Sequence, residues 1–264
     1  MSLIDLKNIS LKYAQTQLFS DISLTLESKN LISLIGPNGS GKSTLLRIIA
    51  GLLKPDHGKV WVQGQNVESY NRKDLARVRA FLPQQPILPE GMTVEQLVHC
   101  GRFAYQGMFS GPSKEDREVV AWAMAVCGVA SFADKLLDAL SGGEQQRVWL
   151  ASALAQKAPI LLLDEPSSFL DISYQLDLMG LLRKLVDDEG ITVIMSSHDI
   201  NHTSQYSDTV IALKQGKLSA FGTTADQLNS DLVGKIFNVT SEFVQSPLSG
   251  KPFCLAHTSN WTTD

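Results

Sequence analysis

Nothing in this 264-residue sequence runs to about eighteen consecutive apolar residues, so no segment reads as a membrane-spanning helix. Its opening, MSLIDLKNISLKYA, carries charge at Asp5, Lys7 and Lys12 and lacks the apolar centre of a signal peptide. Cysteine is scarce. Cys100, Cys127 and Cys254 are odd in number and far apart, which fits neither a disulfide framework nor a zinc site and suits a reducing compartment. Long basic blocks are missing as well. With 23 Lys and Arg against 27 Asp and Glu, the net charge of −4 gives no electrostatic support to tight non-specific nucleic-acid binding. Internal repeats and low-complexity tracts are also lacking. The expectation is a soluble, intracellular protein of one large or two small domains, either able to bury a sizeable core.

What is present is organised around LISLIGPNGSGKSTLLRIIAG, residues 31–51. Leu31 to Ile35 reads as a buried strand. Gly36, Pro37, Asn38, Gly39, Ser40, Gly41, Lys42 and Ser43 then match G-x-x-x-x-G-K-[ST], the phosphate-binding loop. Thr44 and the apolar Leu45, Leu46, Ile48 and Ile49 supply the helix that follows. The order has a chemical reason. Glycines let successive amides point at one anion, and the new helix offers its positive end to the same phosphates. Lys42 adds a mobile charge for the β/γ oxygens, and Ser43 a hydroxyl for Mg²⁺.

Ahead of this loop, residues 2–30 alternate in short β-like runs, read as an antiparallel sheet. Tyr13 ends the first run; its ring suits either stacking on a base or ordinary packing on a neighbour. Beyond the loop come a strand over 59–63, a turn at Gly64 and a strand over about 78–82 ended by Pro83. From Thr93 to Ala158 the apolar spacing turns helical, with Thr93 and Ser113 as N-caps and a glycine-rich break over 105–112.

APILLLDEP is a second buried strand, running into Asp164 and Glu165. Two acids at a strand end beside a phosphate loop can divide the labour, one holding the metal shell and the other orienting the attacking water. Asp171 opens a helix with an apolar stripe through Leu176, Met179 and Leu182. ITVIMSSHD is a third buried strand, ending at His198 and Asp199. Two strands then join at Gln215-Gly216. The tail from Ala225 reads as a helix followed by loops, with a frayed HTSNWTTD at the end.

Leu140-Ser141-Gly142-Gly143-Glu144-Gln145-Gln146-Arg147 stands just before the two acids. Ser141, Gly142 and Gly143 open a helix at Glu144, offering a hydroxyl, bare amides and a dipole end to an anion. With the phosphate loop, this LSGGQ-like stretch resembles the signature of the nucleotide-binding subunits of ATP-binding cassette (ABC) transporters. The resemblance runs over about residues 3–255. It implies an α/β fold: a P-loop NTPase (RecA-like) core with an N-terminal antiparallel β subdomain and an inserted α-helical subdomain. The ATPase domain would cover 2–240, its helical subdomain about 85–158, and a C-terminal extension 241–264.

The same resemblance implies ATP and Mg²⁺ as ligands and ATP hydrolysis as the activity. It matches Tyr13 to the adenine-stacking position, Gln84 to the glutamine that touches Mg²⁺ or water, and Asp164 to the metal-shell aspartate. Glu165 matches the catalytic glutamate and His198 the histidine on the γ-phosphate; Asp171 belongs to the inter-subunit loop. Two copies would dimerise head to tail, so that Ser141, Gly142, Gly143 and Glu144 cover the partner's ATP. Two polytopic permease subunits and, indirectly, a solute-binding protein complete the implied assembly, peripheral to the cytoplasmic face of the inner membrane. No nucleic-acid partner is expected. TVEQLVHCGRFAYQGMFSGPSKEDREVV and PLSGKPFCL are similar to the subunits that drive import of ferric siderophores and ferric citrate, with haem and cobalamin importers as the alternative. Arg102 and Phe103, within that stretch, are expected near the permease contact. A soluble ABC ATPase acting on nucleic acid would usually carry two cassettes or a long coiled-coil insertion.

Overall fold

A computed structural model describes residues 2–13, 16–107, 111–168, 170–247 and 249–257. Part of the glycine-rich break (108–110), Phe169 of PSSFLD and the terminal 258–264 lie outside the described residues. The chain divides into two units, Met1–Glu68 with Ile194–Asp264, and Ser69–Val193.

The first unit opens with β1 (Ser2–Tyr13) and β2 (Thr16–Glu27), paired antiparallel. Their inward residues keep alternation only piecewise: Ile4 and Leu6, then Ile9 and Leu11, against Phe19, then Ile22, Leu24 and Leu26. The slips sit at Asn8 and Asp21, each with a positive φ (53° and 56°) and joined by a 2.7 Å side-chain hydrogen bond. Each inserts one residue, a bulge that keeps the apolar side facing in. Next come β3 (Leu31–Ile35), wholly buried, and α1 (Lys42–Ile49). β4 (His57–Val62) pairs with β1, and Gly58 passes so close to Asn8 that a Cβ would lie 2.5 Å from its carbonyl oxygen. Gln63-Gly64, both with positive φ, turn the chain into β5 (Gln65–Asn66).

In the second unit, α2 (Arg72–Val78) leads into β6 (Arg79–Leu82). The apolar spacing gave no sign of α2, because it buries only Leu75. Three helices follow: α3 (Val94–Cys100), α4 (Lys114–Val126) and α5 (Gly142–Ala155), opened by capping boxes at Thr93, Ser113 and Ser141. Then come β7 (Ile160–Leu163), parallel to β6, and α6 (Ile172–Asp187). Met179 and Leu182 are buried on α6 as the spacing implies, but Leu176 is 47% exposed and Leu178, Leu185 and Val186 complete the stripe.

Fully buried β8 (Thr192–Ser197) carries the chain back to the first unit. There α7 (Ile200–Tyr206) precedes β9 (Thr209–Lys214), which pairs parallel with β3 and antiparallel with β10 (Lys217–Thr223). After α8 (Thr224–Gln227) and α9 (Ser230–Phe237) the tail is a hairpin of β11 (Thr240–Gln245) and β12 (Pro252–His257), where loops were expected. Apolar burial and side-chain hydrogen bonds hold it. Cys254 is buried with Leu232, Val233 and Ile236 of α9, and the Asn201 side chain of α7 accepts from the Cys254 amide (2.7 Å) and donates to its carbonyl (3.2 Å).

Arg102 corrects the expectation of a surface role. It is 2% exposed, donates to Asp116 at 2.8 Å and to the Ala155 carbonyl at 2.9 Å, and lies 3.8 Å from the Tyr105 ring centroid. It thus ties the end of α3 to the first turn of α4 and the last turn of α5. Burial alone would raise the Asp116 carboxyl, but Arg102 and the Ser113 amide and hydroxyl hold it below the usual range. Arg102→Ala should lower stability by roughly 3–5 kcal/mol, because it leaves a buried carboxylate without its cation. Because the folded-state value is depressed, the carboxylate's contribution is present above the ordinary Asp range and lost as pH falls through the depressed value. Denaturant unfolding of wild type, Arg102→Ala and Asp116→Asn from neutral to acid pH checks both. Wild-type stability for Arg102→Ala would contradict the assignment.

Candidate nucleotide site

In the first unit the phosphate loop leaves β3 and enters α1 through Gly41, at φ 102°. Among the described residues α1 is the one α-helix whose N-cap makes no side-chain hydrogen bond. Asn71, Thr93, Ser113, Ser141, Asp171, Asp199, Thr223 and Asn229 each cap theirs. A helix start without a side-chain acceptor suits an external anion. The backbone is shaped to the same end. A Cβ on Gly36 would meet the Leu213 carbonyl at 2.2 Å, one on Gly41 would strike the buried Phe19 ring, and Gly39 faces open space. Ser40 Oγ is buried without a hydrogen-bond partner, a group that a phosphate oxygen would satisfy.

Lys42 is 5% exposed, and its ammonium donates to the carbonyls of Gly36 (2.8 Å) and Pro37 (3.3 Å). The charge is folded onto its own loop. Ser43 and Thr44 are half-buried in the first turn of α1. Also in this unit, Tyr13 is 75% exposed at the end of β1, as a stacking surface requires. His198 is exposed just past β8, and Asp199 caps α7 through the His202 amide at 2.8 Å.

The second unit gathers a carboxylate centre. Asp164, 3% exposed at the end of β7, is placed by its amide on the Leu82 carbonyl (2.9 Å). Glu165 has φ 49°, and its Oε2 accepts from Gln84 Nε2 at 2.7 Å and from the Ser168 hydroxyl at 3.0 Å. Gln84, not Gln85, therefore meets the catalytic candidate across 81 residues of sequence. Asp171 caps α6 through the Tyr174 amide at 3.0 Å.

At the signature, Ser141 caps α5 and Gly142 stands in open space. A Cβ on Gly143 would touch the Tyr174 ring at 3.4 Å, and Arg147 lies over the same ring. Gln146 donates to the Pro166 carbonyl at 3.1 Å, directly after Glu165. Sequence reasoning missed Ser168, Tyr174, Gln146 and Phe19. Ser168 could have been read from its position three residues past Glu165; Phe19 carries no local signal.

The sequence model of the ABC transporter family matches residues 19–168, more than half of the chain. The chain is similar to an iron(3+)-hydroxamate import ATP-binding protein of Bacillus subtilis (strain 168), with 37% identity over 97% of this chain and 96% of the relative. It is 37% identical to a ferric enterobactin transport ATP-binding protein of Escherichia coli (strain K12), over 93% of this chain and 91% of that protein. Among solved structures it resembles an inward-facing ABC transporter described as metal-chelate type, with TM-score 0.86, 25% identity and 99% of both chains covered. A dimeric ATP-binding cassette in a post-hydrolysis state with ADP and Pi superposes with TM-score 0.74 at 32% identity, over 83% of this chain and 98% of that one. With the uncapped helix start and the Gln84–Glu165 centre, these matches place the chain in the family of ABC transporter ATP-binding proteins.

Proposed function

We propose that this chain is the ATP-hydrolysing subunit of an importer for a ferric chelate, a ferric siderophore or ferric citrate. The names of its iron-chelate relatives support the cargo class. The observation that carries the catalytic assignment is the Gln84–Glu165 hydrogen bond, which joins two motif residues far apart in sequence at one carboxylate.

In this reading Tyr13 stacks on adenine, and Gly36 to Thr44 wrap the phosphates, with Lys42 turning from its loop carbonyls to the β/γ oxygens. Ser43, Gln84 and Asp164 would hold Mg²⁺, which supplies charge neutralisation at the β and γ oxygens. Glu165 orients and deprotonates the attacking water, and His198 contacts the γ-phosphate. Ser141, Gly142, Gly143 and Asp171 serve the nucleotide of a second, head-to-tail copy, and Glu144 belongs to the same shared site. The helical subdomain, about 85–158, meets two membrane permease subunits, and a solute-binding protein acts through them; residues 241–264 form the C-terminal extension. Among the described residues no helix is long and apolar enough to cross a membrane, which suits a subunit peripheral to the cytoplasmic face of the inner membrane.

Glu165→Gln should keep ATP binding, lose most turnover and accumulate an ATP-bound dimer on size exclusion with Mg-ATP. Near wild-type steady-state hydrolysis would sink the assignment. The head-to-tail arrangement has its own test, a mixed dimer of one Lys42→Ala chain and one Ser141→Arg chain. Lesions that cross between chains fall in one site and leave the second intact, so one ATP is retained per dimer; none retained in confirmed dimers counts against it. For the permease contact the residue to change is Phe103, 63% exposed beside Glu95, His99 and Pro112 in one groove. Phe103→Ser should lower transport in reconstituted vesicles while the free subunit's ATPase holds, and an equal fall in both would assign Phe103 to the fold.

A further inference from the structure

The start of α5 already holds an anion. Glu144 Oε2 accepts from the Ser141 amide at 2.8 Å and from the Ser141 hydroxyl at 2.7 Å, while Ser141 Oγ accepts from the Glu144 amide at 3.4 Å. The Ser141 hydroxyl and amide hold the Glu144 carboxyl below the usual range, helped by the charges of Lys135 and Arg147, so it is ionised at neutral pH. The other two capping boxes differ. At α3 the returning side chain is the neutral Gln96, and at α4 the charge of Asp116 is matched by Arg102 at 2.8 Å. Among the described residues no lysine or arginine comes within ion-pair distance of Glu144.

We propose that the Glu144 carboxylate is a resident competitor in the shared nucleotide site, holding the signature donors of the free subunit until the partner's terminal phosphate displaces it. The inference rests on the shared-site reading above. Two anions cannot use the Ser141 hydroxyl at once, and like charges a few ångströms apart repel. Closure of the dimer therefore first breaks two internal hydrogen bonds and moves a charge aside. Glu144 in this way sets how much Mg-ATP is needed to close the dimer.

The test compares Glu165→Gln with Glu165→Gln/Glu144→Gln, both full-length, by size exclusion or light scattering over a Mg-ATP titration. Glutamine keeps the capping box, so thermal melting of the two should agree. Removing the charge should lower the half-saturating Mg-ATP for dimer formation by about fivefold, and the gap should narrow as salt rises. Nucleotide affinity of the monomer, read with a fluorescent ATP analogue, should be equal for both. Dimers that form at the same or higher Mg-ATP in the double variant overturn this inference alone. If Glu165→Gln itself forms no dimer, the shared-site reading falls and this inference falls with it, because no partner phosphate then reaches Ser141.

Discussion

The first amides of an α-helix have no carbonyl partner inside the helix, and in α1 no side-chain cap takes that place. The surrounding sequence serves that condition. Gly41 takes a left-handed conformation that leads the chain straight from loop to helix, and Phe19 fills the space a Cβ would need. Leu45, Leu46, Ile48 and Ile49 bury the far side of α1 and fix its axis, so the amide end cannot drift. Lys42 adds a positive charge that rests on the loop carbonyls of Gly36 and Pro37.

Glu165 is held by a different balance. A non-glycine residue at φ 49° stores strain, of order 1–3 kcal/mol, and survives only where its neighbours over-determine it. Gln84 and Ser168 do so through the carboxylate itself, and the Ser168 amide adds a bond to the Glu165 carbonyl at 3.1 Å. The other non-glycine residues with positive φ among those described include turn and bulge positions such as Asn8, Gln63 and Gln215. Glu165 sits at the end of a buried strand.

The phosphate loop, the signature, the strand-borne acids and the N-caps at Thr93, Ser113 and Asp171 were legible because each is local: its residues follow one another along the chain. What distant residues do to one another was not. Arg102 reads as one more basic residue in a family-specific stretch until Asp116 and the Ala155 carbonyl are seen around it. Leu176 has helical spacing yet faces outward, since the spacing does not say how wide a stripe the neighbours cover. The C-terminal hairpin escaped because β11 fully buries only Ser241 and β12 only Cys254, too little for apolar alternation to register. Alternation also breaks at Asn8 and Asp21, and only the paired bulges explain why β1 and β2 still bury a continuous side.

A two-stranded hairpin has two open edges, and an open edge is a template on which another extended chain can add itself. Asn201 alters that for β12. Its amide presents an acceptor and a donor to the Cys254 N–H and C=O, as a neighbouring strand would, and Gln205 donates to the Pro252 carbonyl two residues earlier at 2.8 Å. Helix α7 thus stands in for a third strand with side chains in place of a backbone. The β12 edge is thereby covered as a neighbouring strand would cover it, without the extra length of chain a third strand would require.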